Sequence, residues 1–146
     1  MKFIASAVAA IALATTVSAD FTSCGSPNDT LTLSNVSYTP NPPKVGQQVC
    51  ITLNGTLSAP VTQGSNLTVT ATYMGFNVYS GTSDLCADLA NSTTPCPIGT
   101  NVTSVTECVN VPSVIPTNAT FNLQANATSA SGAQIFCISG NLTFSS

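Results

Sequence analysis

The sequence predicts an all-β protein, a two-sheet antiparallel sandwich. Three observations lead there. Apolar and polar residues alternate with period two in run after run, the pattern of strands with one buried and one wet face. Glycine and proline clusters punctuate the runs. Six cysteines, Cys24, Cys50, Cys86, Cys96, Cys108 and Cys137, are even in number and none stands in a CxxC interval. They therefore read as three disulfides formed in an oxidising compartment rather than as a metal site.

The elements follow in order. Residues 1–19 read as a secretory signal peptide. Lys2 gives a short positive start, Phe3 to Val17 an apolar stretch, and Val17-Ser18-Ala19 the small residues that cleavage requires. The stretch is short for a membrane span and contains Thr15 and Thr16. Cleavage after Ala19 leaves 20–146 as one domain, whose polar C-terminus does not read as a lipid-anchor signal. Thr30-Leu31-Thr32-Leu33 places two leucines on one face. Thr39 to Gly46 is a connector whose prolines bar ladder pairing. Val49, Ile51 and Leu53 share a face, with Cys50 opposite. Gln63-Gly64-Ser65 reads as a hairpin turn leading into Asn66 to Tyr73, where every second residue is apolar.

Met74-Gly75 reads as a bend or bulge within one long strand. Ser83 to Ala90 is the only helical candidate, with Ser83 or Asp84 near its N-cap. Val105, Val109 and Val111 share a strand face that Glu107 interrupts, marking either a bulge or the rim of a cavity. Thr120 to Ala127 alternates again, Ser129 to Gly132 is a hairpin turn, and Phe136 to Phe144 is a last strand with Ile138, Leu142 and Phe144 on one face. About seven strands in one domain suit a sandwich.

Charge narrows the functional classes. Only 5% of residues are charged, and the chain has no His and no Arg, against roughly a quarter charged in an ordinary domain. Beyond the signal, Lys44 is the single base. Nucleic acid is excluded as a partner, since phosphate contacts need clustered Lys or Arg, and so is a polybasic grip on anionic membranes. Solubility is then assigned to glycans. Asn-x-Ser/Thr sequons begin at Asn28, Asn35, Asn54, Asn66, Asn91, Asn101, Asn118, Asn126 and Asn141. Asn66, Asn118 and Asn126 fall on the polar phase of their strands and Asn141 out of phase with Leu142 and Phe144, so sequon placement and parity agree on the outer face.

Catalysis is tested by subtraction. Histidine-based triads are impossible without His, and a phosphate-cradling glycine loop with its lysine is absent. Asp84 and Asp88 stand four apart on one short helix, which suits helix-end charge better than a glycosidase pair flanking a cleft. No catalytic residue, metal or cofactor is expected. Cysteine parity points to one pairing among fifteen. Cys86 and Cys96 bracket a short proline-containing loop, Cys50 and Cys108 both lie opposite apolar faces, and Cys24 is left with Cys137.

In order and spacing, several segments resemble the ML lipid-recognition domain family, and most closely its fungal phosphatidylglycerol/phosphatidylinositol transfer branch, related to Niemann-Pick type C sterol carriers. They are Cys24, Ser37-Tyr38-Thr39-Pro40-Asn41-Pro42-Pro43-Lys44-Val45-Gly46, Asn54-Gly55-Thr56, Asp84-Leu85-Cys86, Pro95-Cys96-Pro97-Ile98, Val111-Pro112, Ile115-Pro116 and Cys137. The resemblance implies an immunoglobulin-like β-sandwich with splayed sheets and an internal lipid cavity. It also implies the Cys24–Cys137 and Cys86–Cys96 bridges. The cavity lining would be Leu33, Ile51, Leu53, Leu67, Val69, Tyr73, Phe76, Val78, Val109, Val111, Phe121, Leu123, Ile138 and Leu142. The expected partner is a small lipid (sterol, fatty acid or phospholipid), reached by transient membrane contact and carried by a monomer that is secreted or delivered to a vacuolar or lysosomal lumen. With Lys44 the only base, an uncharged or weakly charged lipid is expected over a charge-read phospholipid headgroup. The rival expectation is a secreted cell-surface or host-interaction glycoprotein with a closed core.

Overall fold

The structure, a computed structural model, describes residues 21–146; the expected signal peptide lies outside the described residues. Eight strands and one short helix follow in order. They are β1 (Phe21–Ser23), β2 (Leu31–Thr39), β3 (Gln48–Leu57), β4 (Asn66–Tyr73), β5 (Phe76–Asp84), α1 (Leu85–Asp88), β6 (Ser104–Asn110), β7 (Thr120–Thr128) and β8 (Gln134–Thr143). They form a five-stranded sheet, β1-β8-β7-β4-β5, and a three-stranded sheet, β2-β3-β6. Every pairing between these strands is antiparallel, as the predicted sandwich requires.

Several local expectations are corrected. Met74-Gly75 does not bend one long strand. It closes the β4–β5 hairpin, with φ of 52° at Met74 and 84° at Gly75. Left-handed backbone at both central residues matches the right-handed twist of the flanking strands. The bulge lies further on, where Val78 is left unpaired between Thr72↔Asn77 and Ala71↔Tyr79. Gln63-Gly64-Ser65 is a turn, with φ 93° at Gly64, but not a hairpin. It carries the chain from β3 in one sheet to β4 in the other. Turn chemistry sets the local bend, not the sheet that the next strand joins. Finally, Glu107 does not mark a bulge: β3 and β6 run in unbroken register from Gln48↔Asn110 to Asn54↔Ser104.

The helical stretch is shorter than expected, Leu85–Asp88, with Ser83 and Asp84 ending β5. Asn118 lies in a turn before β7, with φ 62°, and not on a strand. Other local readings agree with the structure. Asp84 caps α1, its Oδ1 accepting from the Ala87 amide at 3.0 Å. Ser129 to Gly132 turns β7 into β8, with the Ser129 amide donating to the Ala133 carbonyl at 2.8 Å. The three disulfides are Cys24–Cys137, Cys50–Cys108 and Cys86–Cys96. Cys50 lies directly opposite Cys108 in the β3–β6 ladder, so that bridge staples the outer face.

The outer faces are polar ladders. Hydroxyls pair across strands at Thr52–Thr106 (2.8 Å), Thr68–Thr82 (3.0 Å) and Thr120–Thr143 (2.7 Å). Of the sequon asparagines, Asn54 and Asn126 are half-buried and the others are exposed.

The inner faces pack into two clusters at opposite ends of the sandwich. One gathers Val36, Val61, Leu85, Leu89, Ile98, Ala127, Ile135, Phe136 and Ile138. The other gathers Val49, Val111, Phe121, Leu142 and Phe144, where the Phe121 ring meets Tyr73 and Phe144 at centroid distances of 5.2 and 5.8 Å. The sheets approach each other at β1–β2 and β2–β8. That places β5 and β6, the far edges of their sheets, together on the opposite side.

Candidate functional site: a cleft between the sheets

The inner phase is fixed by register. On the five-stranded sheet, Leu67 pairs with Ala127 and Ser83, Val69 with Ala125 and Gly81, and Ala71 with Leu123 and Tyr79. On the three-stranded sheet, Val36 pairs with Leu53, which pairs with Val105. Tyr38 pairs with Ile51, which pairs with Glu107, and Val49 pairs with Val109. Leu53 and Val105 pack into the first cluster, and Val49 lies in the second. Between these ends stands a middle zone, with Ala125, Val69 and Gly81 on one wall and Ile51 and Glu107 on the other, Ala125 and Ile51 also packing against the first cluster.

One wall of that zone carries only small side chains, Ala125, Val69 and Gly81. Val69 is an inward residue of a central strand, yet it is only half-buried and belongs to neither cluster. Ile51, Leu53, Leu67, Tyr73, Val105 and Leu123 are likewise only half-buried, although a closed sandwich buries such positions fully. Exposure grows toward the β5–β6 side. Phe76 and Tyr79, on the inner phase of β5, are 75% and 58% exposed, and Val109 on β6 is 42% exposed. The sheets are splayed there.

The sequence-predicted lining falls into three groups. Leu33, Ile51, Leu53, Leu67, Val69, Tyr73 and Leu123 are half-buried, and apart from Leu33 on β2 they stand on the central strands. Val111, Phe121, Ile138 and Leu142 are buried, so they plug the ends. Phe76, Val78 and Val109 are exposed at the open side. The bulge puts Val78 out of step with the inner phase, and Tyr79 takes its place. Strict alternation overlooked Tyr79, because one unpaired residue inverts the parity after it. A Cβ on Gly81 would stand 2.6 Å from the Tyr79 hydroxyl, so the phenol lies across that glycine. The concavities of about 270 and 390 Å³ are shallow and lie outside this zone. One lies at the β1–β2 edge beside Phe21 and Val36, and the other among Thr32, Asn54 and Thr103.

Glu107 is the one acid among these inner-phase positions. Its side chain makes no hydrogen bond or ion pair with another described residue. Burial, and secondarily Asp88, raise its carboxyl above the ordinary value. Asp88, on α1 just beyond β5, accepts from the Ser83 hydroxyl.

Comparison with known proteins places this two-sheet fold. The sequence profile of the ML domain matches residues 18–144. The chain belongs to the ML domain family. Among its relatives, the phosphatidylglycerol/phosphatidylinositol transfer protein of Aspergillus oryzae is 31% identical over 116 residues, 79% of this chain and 66% of that one. The protein of the same name from Candida albicans is 29% identical over 78% of this chain and 59% of its own. This ML domain chain thus spans about two-thirds of the length of such relatives or less. Among solved structures, a Niemann-Pick type C2 protein from Japanese carpenter ant superposes with a TM-score of 0.66 at 14% identity, covering 85% of this chain and 98% of that one. Chicken MD-1 complexed with lipid IVa gives 0.60 at 16% identity, covering 85% and 88%. These likenesses establish a shared ML sandwich.

Proposed function

We propose that this ML domain protein is a non-catalytic lipid carrier that holds an acyl chain or sterol body in the cleft between its sheets. The observation that carries the reading is Val69, inward in register yet only half-buried and packed by neither terminal cluster. An apolar ligand there gains about 25 cal/mol for each Å² taken from water, and this needs no charged side chain. Relatives named as phospholipid transfer proteins and a neighbour solved with a lipid support the same reading.

The ligand enters from the β5–β6 side. Met74, Phe76, Val78 and Val109 are exposed there, and Val114 in the loop after β6 is 87% exposed. Such a rim suits brief contact with a membrane's apolar layer during loading and release. With Lys44 the only described base, the preferred cargo is uncharged or weakly charged. Three disulfides fit a secreted or lumenal location, and the protein acts as a monomer.

The test is displacement of a fluorescent sterol or acyl-chain probe from the purified secreted protein, with mass spectrometry of any lipid that co-purifies. Saturable binding near one lipid per chain is expected. Val69→Phe should fill the cleft and lower affinity at least about tenfold while the protein stays folded. A folded wild type that displaces no probe and carries no lipid refutes the reading.

A further inference from the structure

Two polar groups stand on the inner phase of the edge strands at the cleft's open side, and neither is hydrogen-bonded among the described residues. Glu107 is on the inner phase of β6, in register with Ile51 and flanked by Val105 and Val109. Tyr79 is on the inner phase of β5, in register with Ala71, its hydroxyl lying across Gly81. Neither side chain makes a hydrogen bond with another described residue. A carboxylate placed beside an apolar binding zone costs stability unless it meets a partner. A core built only for packing would hold an aliphatic residue at 107, as it does at the flanking inner positions Val105 and Val109. A few polar groups converging on an apolar pocket are what fixes a ligand's orientation and chemistry.

We infer that Glu107 and Tyr79 form the headgroup-selecting pair of the cleft, admitting uncharged lipids that bear a hydroxyl and excluding anionic ones. The Glu107 carboxylate accepts the hydrogen bond that a lipid hydroxyl donates, and the Tyr79 phenol adds a second donor or acceptor. A phosphodiester at the same place meets a like charge in a partly desolvated setting. Among the described residues Lys44 is the single base, and it lies before β3, bridging Ser145 at the second-cluster end and not on the β6 strand that carries Glu107. The other groups around Glu107 do not relieve the repulsion. Its partner in the β3–β6 ladder is Ile51, and the neutral Tyr79 stands on the inner phase of β5, the far edge of the other sheet. Asp88 on α1 adds further negative charge, and Asp84 is engaged as the helix cap. The inference rests on the lipid-carrier reading and runs against the headgroup named for the fungal relatives.

The experiment uses the secreted glycoprotein and two fluorescent probes with the same acyl chains, a diacylglycerol and a phosphatidylglycerol. At pH 7.5 the wild type should bind the diacylglycerol about tenfold or more tightly than the phosphatidylglycerol, the scale of one like-charge contact at intermediate dielectric. Glu107→Gln keeps the shape and an acceptor but removes the charge. It should bring the two affinities within about threefold, chiefly by improving phosphatidylglycerol binding. Tyr79→Phe should weaken the diacylglycerol alone. A pH titration of the wild type supplies a check without mutation. Phosphatidylglycerol stays anionic to low pH, so its affinity relative to diacylglycerol should rise as pH falls and Glu107 takes up a proton, and this rise should be absent in Glu107→Gln. Equal preference ratios in wild type and Glu107→Gln, or a ratio independent of pH in the wild type, overturn the inference while leaving lipid carriage intact. Binding of neither probe by any folded form overturns both.

Discussion

Glu107 ties stability to pH as well as selectivity. Its carboxyl is raised by burial first and by Asp88 second. The native state therefore holds this proton to higher pH than the unfolded chain does. The contribution is fully favourable below the ordinary value of 4.5 and is lost as pH rises through the raised value. Glu107→Gln should accordingly melt at or above the wild type at neutral pH, and its advantage should shrink as pH falls toward 4. Melting temperatures across that range check this. An advantage that stays constant with pH would mean that the acid is not strained where it stands.

At the scale of elements, the β4–β5 hairpin and the loop after β6 make the exposed rim. The hairpin can be tight because Gly75 tolerates φ of 84° at no steric cost. Its flank then presents Met74 and Phe76, 78% and 75% exposed, and the loop after β6 presents Val114. Phe76→Asp combined with Val114→Asp should slow lipid transfer between vesicles about tenfold and leave solution affinity for a soluble probe within about twofold. A rate measured against vesicle concentration separates the two effects. Unchanged transfer would place the membrane-facing surface elsewhere. The Cys50–Cys108 bridge bears on the same region, because it fastens β6, an edge strand carrying Glu107, to β3.

For the whole molecule, the disulfides contribute according to the length of chain they close. Cys24–Cys137 spans 113 residues and Cys86–Cys96 only 10. In the chain-entropy account these are worth about 5 and about 3 kcal/mol. Replacing Cys24 and Cys137 together by Ser should lower the denaturation midpoint more than replacing Cys86 and Cys96. The reverse order would show that the local staple holds native structure that the long bridge does not. The long bridge also ties the segment after β1 to β8, on the side where the sheets meet. The closed side is thus fixed covalently while β5 and β6 remain free to stand apart.

Much of this was legible in the sequence. Outside bulges such as that in β5, period-two alternation set which side chains face inward, because successive residues of a strand point to opposite faces, and the sequons at Asn66, Asn126 and Asn141 fall on the outer phase. The pairing of all six cysteines followed from parity and spacing, and from the family resemblance. The absence of His and Arg counts only against histidine-based triads and arginine-read headgroups, since those chemistries require side chains the chain lacks. Tertiary structure decided what alternation cannot carry. Gln63 to Ser65 is a turn on any reading, yet only packing could send β4 to the second sheet. The bulge at Val78 inverted the phase of β5 and brought Tyr79 inward, because one unpaired residue shifts every side chain beyond it. Glu107 was either an irregularity or a rim residue until an unbroken β3–β6 register removed the first choice. The splay itself was invisible in the strand pattern, which is the same for a closed core and an open one. The distance between sheets is set by which side chains meet across the gap, and here one wall carries only the small residues Ala125, Val69 and Gly81.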